Sequence, residues 1–358
     1  MATKIQNFNF NINAVRCYAI LLIVFLHAGC IYPEEFRKIY EKILSFFDPQ
    51  IGVEILFVIA GYFLSNWLFK KDNYTLSEIF SFYWKKLKRL FPVAIVWSFL
   101  PLLFCVILGT PHWLTPEAMW KKFISGALML RNFEEVDNHS AFGYLWAVSL
   151  EFQFFVIFPI VYFTLGAKKT LVLSFLFLLL SCFYRNEMFL GGGNSWMFRI
   201  DGLIYGYVLA YFKYLHNDVF FKISNSLNNL GKRKNFFIFS FVLILSGSSL
   251  IALQSYPQFK FSISAFICFI FIGFLLTTTY SFEPSLPFLR KITRYIASRS
   301  YSLYCCHIPS WFAVDSILSI FAFAKIHMPA LLTFLIQITV MLVSMELTFK
   351  FVEQKKWD

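Results

Sequence analysis

Solid apolar runs of about 15 to 25 residues recur along the whole of this chain, and runs of that length leave few ways to fold. In hydrocarbon every backbone N–H and C=O must be satisfied inside its own segment or in a closed sheet, so each long run is expected to form a membrane-crossing helix. The blocks of alternating apolar and polar residues that mark a transmembrane barrel are absent. Composition agrees, with 58% apolar and 15% charged residues and a mean hydropathy of +0.63. Forty-eight Phe suit lipid-facing surfaces, and nine Trp with eighteen Tyr can populate the interfacial belts. The fold class is therefore all-α, a polytopic transmembrane helix bundle, expected as a single membrane domain over 1–358, with no internal repeat, low-complexity tract or soluble appendage visible.

The runs predict ten spans, at 14–31, 51–69, 90–109, 142–165, 170–184, 196–215, 236–254, 261–280, 300–322 and 328–349. Basic residues test the topology, because Lys and Arg accumulate in cytoplasmic loops. Alternate connections hold twenty-one on one side and ten on the other, with Arg16 inside the first span. Both termini are thereby predicted to be cytoplasmic. The longest connection, 110–141, faces outward and carries an amphipathic stretch near 117–130, read as a surface helix.

A net charge of +12 raises the question of nucleic acid, but the charge is spread over short loops and follows the topology rule, so anionic lipid headgroups are the expected partner. Seven cysteines show no metal-ligand spacing and no CxxC, so neither a metal site nor a disulfide framework is expected. The first span lacks a clean cleavage pattern and is read as retained. Nothing in the sequence specifies an oligomeric state.

Ionisable residues inside spans are costly, and so are candidates for function. Arg16 and His27 are eleven residues apart in the first span, roughly 16 Å along a helix. Glu151 lies about nine residues into the fourth span, which runs inward, and should reach the depth of His27. A carboxylate beside an imidazole raises its basicity and fixes its tautomer, a reading preferred over a purely structural bond between helices. Lys85, Lys86, Lys88 and Arg89 precede Pro92 at the expected cytoplasmic start of the third span. They read as an anion site or as a plain positive-inside anchor. Trp146 and Gln153 flank Glu151. Arg199 and Asp201 could contact an acceptor or form an ion pair, and His307 either lines the cavity or packs between helices. His112, His139, His216 and His327 fall in connections and read as solvated.

Asn13-Ala-Val-Arg16 through His27 is followed by Gly52-Val-Glu-Ile-Leu-Phe-Val-Ile-Ala-Gly61, Phe82-Tyr-Trp-Lys-Lys86-Leu-Lys-Arg89-Leu-Phe-Pro92, Trp146-Ala-Val-Ser-Leu-Glu151-Phe-Gln153 and Tyr301-Ser-Leu-Tyr-Cys-Cys-His307-Ile-Pro309. In that order these blocks resemble the acyltransferase-3 family of membrane O-acyltransferases, from residue 13 to about 354. Lys86 stands where the family usually has an arginine, which keeps charge but weakens bidentate phosphate binding. Glu54 replaces a more usual aspartate, Phe152 falls where a second carboxylate is frequent, and Cys305-Cys306 replace an apolar and aromatic pair.

The resemblance implies a bundle of about ten helices that moves an acyl group, commonly acetyl, from cytoplasmic acetyl-CoA to a hydroxyl of a glycan or lipid-linked sugar. It implies His27 as general base or transient acyl acceptor, oriented by Glu151. Donor binding would fall to Arg16, Lys86 and Arg89 with Lys85 and Lys88, and acceptor binding to Trp146, Gln153, Arg199, Asp201 and His307. A bacterial inner membrane is the expected location. No hydrolase-like extracytoplasmic domain is visible, which points away from the peptidoglycan-modifying subset. The rival reading is a transporter or flippase using the buried Arg, His and Glu as a proton relay. Inverted repeats would support it, and none is visible in the sequence.

Overall fold

The computed structural model describes residues 2–71, 74–109, 114–133, 143–190, 199–282, 284, 286–323 and 328–354, with side chains from residue 10 and without those of 186–190 and 321–323. Among the described residues the chain is helical, without strands. Its helices are α1 (Ala2–His27), α2 (Glu34–Leu44), α3 (Ile51–Leu68), α4 (Leu76–Leu108), α5 (Pro116–Ala127), α6 (Leu145–Leu190), α7 (Asp201–Leu215), α8 (Asn217–Asn229), α9 (Gly231–Ala252), α10 (Pro257–Thr277), α11 (Pro287–Ser298), α12 (Ser300–Phe323) and α13 (Ala330–Thr348).

Eight of them, α1, α3, α4, α6, α9, α10, α12 and α13, are long and apolar enough to cross a membrane. Expected spans four and five both fall in α6, which is broken at Gly166, where φ is 73° and ψ is 169°. Glycine enters that region without a Cβ clash, so it separates two helical stretches with no loop. Tyr207 Oη donates to the Ala167 carbonyl beside the break at 2.7 Å. Expected span six corresponds to α7, only 15 residues long.

The start of the third span is also corrected. Helix α4 begins at Leu76, behind a capping box in which Thr75 Oγ1 accepts from Glu78 N and Glu78 Oε2 accepts from Thr75 N. Pro92 is thus inside the helix and the row from Lys85 to Arg89 lies in its body, so the charge of a helix N-terminus does not reinforce that row. The surface helix expected near 117–130 is α5, started by Thr115 with Pro116 at its first position.

The chain divides into two compact units, each drawn from three stretches. The first comprises 1–26, 41–73 and 154–298. Its centre is the packing of α7 on α3, where Gly202 and Gly206 lie four residues apart on one face. A Cβ added to Gly206 would sit 2.4 Å from the Val58 carbonyl oxygen, and one on Gly61 only 2.0 Å from that of Leu203. Small residues at this spacing let two backbones approach where no hydrophobic effect drives helices together. Ile51, Ile55, Val58, Phe271, Ile272 and Leu275 fill the core around them.

The second unit comprises 27–40, 74–153 and 299–358. Here α12 packs against α4 and α13, and Trp97 Nε1 donates to Thr348 Oγ1 at 2.9 Å. After α13 the chain makes one π-helical turn, Phe349–Glu353. Arg299 grips Glu346 through Nε at 2.5 Å and Nη2 at 3.3 Å, and its guanidinium lies 4.2 Å above the ring of Phe349.

Candidate functional site

The second unit gathers most of the residues singled out in the sequence. His27 ends α1 and His307 lies two turns into α12, with His27 Nδ1 and His307 Nε2 2.9 Å apart. His307 is fully buried, and its Nδ1 is 2.7 Å from the Tyr304 carbonyl oxygen. Its ring stands 5.5 Å from those of Tyr144 and Trp311 and 5.9 Å from that of Tyr304.

Local sequence explains why this helix offers carbonyl groups to side chains. Pro309 has no N–H, so the Cys305 carbonyl four residues earlier loses its helical donor. Tyr144 Oη supplies the missing bond at 2.8 Å, and Tyr304 Oη returns one to the Tyr144 carbonyl at 2.6 Å. This reciprocal clasp ties the start of α6 to α12 and fixes the aromatic walls around His307.

Glu151 was expected beside His27. The partner found at His27 Nδ1 is His307, whereas Glu151 lies within electrostatic range of the Tyr301 hydroxyl and the Cys305 thiol, six and two residues before His307 on α12. Glu353, from the π-helical turn, acts on the same two groups. It also accepts from Ser302 Oγ at 2.6 Å and pairs with Arg89 Nη2 at 3.3 Å. Arg89 remains 49% exposed. Lys86 and Lys88 lie back along α4, with Nζ 5.9 Å from the Phe82 ring and 5.2 Å from the Trp84 ring, and Lys85 is exposed. Phe152, at the position of a second carboxylate in the family, packs edge-on to Phe91.

Gln153 exchanges hydrogen bonds with Asn132, at 2.8 and 3.1 Å, and donates to the Met129 carbonyl at 2.7 Å. Trp146 is buried near the start of α6. Arg131, counted from sequence as an outward loop charge, is itself buried, and its backbone N–H donates to Ser149. Arg131, Asn132, Tyr144 and Tyr304 are candidates that sequence reading missed. The proline at 309 was the available signal for the two tyrosines, whereas an irregular segment such as 129–133 has no periodicity to detect.

Arg16, Arg199 and Asp201 belong to the first unit. Arg16 is half-buried on α1. Arg199 and Asp201, suggested for the acceptor, are both fully buried in ion pairs. Arg199 meets Glu54 through Nε at 2.7 Å and Nη2 at 2.6 Å, with its guanidinium 3.7 Å above the Phe261 ring. Asp201 meets Arg185 at 2.5 Å and accepts from Ser262 Oγ. This is the ion-pair alternative weighed from sequence. His216 lies between α7 and α8. His112, His139 and His327 fall outside the described residues. Among the described residues no group of three His, Cys, Asp or Glu could hold a metal.

An O-acetyltransferase, OatA, of Staphylococcus aureus strain NCTC 8325 / PS 47 is 25% identical over 331 residues, which cover 85% of this chain and 52% of that protein. A provisionally named O-acetyltransferase of Staphylococcus aureus strain COL is 25% identical over 335 residues with the same coverage. The chain spans about half the length of these curated relatives. No solved structure matches. The family model described as Acyltransferase domain, of the acyltransferase-3 type, matches residues 9–348, nearly the whole sequence, and the chain belongs to that family.

Proposed function

We propose that this chain is an integral membrane O-acyltransferase of a bacterial inner membrane, with both termini in the cytoplasm. It moves an acyl group, acetyl in the first instance, from acyl-CoA to a hydroxyl of an envelope glycan or lipid-linked sugar. Family membership and the names of the relatives support the reaction class. The observation that carries the assignment of residues is the histidine pair lying in the same compact unit as the row Lys85, Lys86, Lys88 and Arg89.

With Nδ1 of His27 engaged by His307, Nε2 is the ring atom left to receive a proton from the acceptor hydroxyl. As that proton moves, the hydroxyl oxygen bonds to the thioester carbonyl carbon. Breakage of the C–S bond then releases a thiolate, which takes the proton back from the imidazolium. A sugar hydroxyl is a poor nucleophile at neutral pH, so a positioned base is what the reaction requires.

A nucleotide carrying a pyrophosphate and a further phosphate needs concentrated positive charge, and the basic row supplies it. Arg89 is half exposed and pairs with the carboxylate of Glu353, a contact that an anionic phosphate could take over. Glu353 also bonds Ser302, and Ser302 to His307 is five residues, about 7.5 Å along α12. The expected phosphate end and the expected base are thereby linked through one rigid helix. Arg16 keeps its donor role on the family resemblance. Glu151, near Tyr301 and Cys305 on the stretch of α12 between these levels, would border the path of the thioester arm.

Incubating purified protein with labelled acetyl-CoA and an extract of cell-envelope glycans tests the proposal. It predicts label in an alkali-labile ester. Transport of an ion or lipid by the reconstituted protein, with no ester formed, would favour the transporter reading instead.

A further inference from the structure

We propose that His307 is a positioning residue that sets the tautomer of His27, so that two neutral imidazoles in series do the work usually given to a carboxylate and a histidine. This rests on His27 as the base of the proposed reaction. The geometry of the pair supplies the rest.

A backbone carbonyl oxygen can only accept. At 2.7 Å from the Tyr304 oxygen, His307 Nδ1 must therefore carry the hydrogen. A neutral ring protonated at Nδ1 has its lone pair on Nε2, and that atom faces His27 Nδ1 at 2.9 Å. The shared bond then needs its hydrogen on His27 Nδ1. His27 is left with a bare Nε2, the form a general base must have. Each link follows from the one before, and the chain starts at a carbonyl whose role admits no alternative.

The arrangement suits its surroundings. A carboxylate in place of His307 would be an ion buried among Tyr144, Tyr304 and Trp311, at a desolvation cost of several kcal/mol. An imidazole carries no charge at rest. When His27 gains a proton at Nε2, its Nδ1–H bond to His307 becomes charge-assisted and about twice as strong. Stabilisation thus appears as charge develops, which is where it accelerates a reaction. The titratable groups around the pair include Tyr144 from the start of α6, Tyr304 and the buried thiols of Cys305 and Cys306 from α12, and Cys30, whose Sγ donates to the His27 carbonyl at 3.0 Å and which lies within electrostatic range of Asp315.

The experiment is nitrogen-15 NMR of the full-length protein labelled at histidine and held in lipid nanodiscs, near neutral pH, with the two signals assigned from His27→Asn and His307→Gln. The inference predicts that both rings are protonated at Nδ1 and bare at Nε2, the opposite of the tautomer histidine prefers in water. A His27 ring protonated at Nε2 would overturn it. That readout needs no turnover, so it stands apart from failure of the acyltransferase reading.

Where turnover is measurable, His307→Phe, which keeps the ring and removes the acceptor, should lower kcat by about 100-fold and leave KM for acetyl-CoA unchanged. His307→Gln places an amide oxygen near the lost Nε2 and should recover part of that loss. Equal kcat in the native protein and His307→Phe would refute the role. If His307→Phe fails to fold, the comparison of His307→Gln with the native chain and the native NMR spectrum still decide.

Discussion

Each unit buries ionisable side chains, and the two clusters show that the same sequence signal has two meanings. In the first unit Glu54 meets Arg199 and Asp201 meets Arg185, with every partner nearly or fully inaccessible. Acids and bases there are committed to one another, and opposite charges offset the cost of burial. In the second unit His27 and His307 are joined to each other with no carboxylate or guanidinium in that contact, and the hydrogen-bond chain ends on the half-buried ring of His27. A closed cluster holds helices together, whereas an open-ended one can do chemistry. Cost alone, which made both clusters candidates from sequence, does not separate them.

The largest expected effect that tests this contrast lies in the closed cluster. Glu54→Leu leaves Arg199 buried without its carboxylate and should destabilise the protein by about 3–5 kcal/mol, read as a fall in the midpoint of thermal unfolding in detergent. Combining it with Arg199→Leu should restore most of the midpoint, since a paired loss removes both charges. Failure of the double substitution to recover would mean that these residues do more than brace α3.

A smaller effect belongs to the donor end. Lys86→Ala with Arg89→Ala should raise KM for acetyl-CoA by about 10-fold while kcat holds, the pattern of lost ground-state binding. Unchanged KM would return the basic row to the role of a lipid anchor. The smallest change is expected for Glu353→Gln. It relieves Arg89, which is half exposed, of a competing carboxylate that is itself nearly buried and bonded to Ser302. KM for acetyl-CoA should fall by about 2-fold, and a rise would show that Glu353 positions Arg89 instead of competing for it.

Much of the architecture was legible in the sequence because hydropathy reports directly on membrane-crossing helices. Hydropathy also explains the errors. It marks where a helix becomes apolar, so it put the start of α4 near residue 90, although the Thr75–Glu78 capping box starts the helix fourteen residues earlier. It split α6 into two spans but could not see that the break is a single glycine in a left-handed conformation. At the site, His27 and His307 were both visible as polar residues within apolar runs. Their contact was not, because the residues are 280 positions apart and nothing local encodes the pairing. Glu151 was matched to His27 by estimated depth, a single coordinate that cannot tell one face of a helix from another. Arg131 entered the sequence reading only as one of the loop cations, and a charge count carries no information on the burial that the fold gives it.

The most direct measurement of the central claim is ester formation by His27→Ala beside the native protein, both purified, folded and shown to bind acetyl-CoA equally. Transfer to the glycan should drop to background while binding of the donor persists. Turnover within a few-fold of the native rate would remove His27 from the reaction.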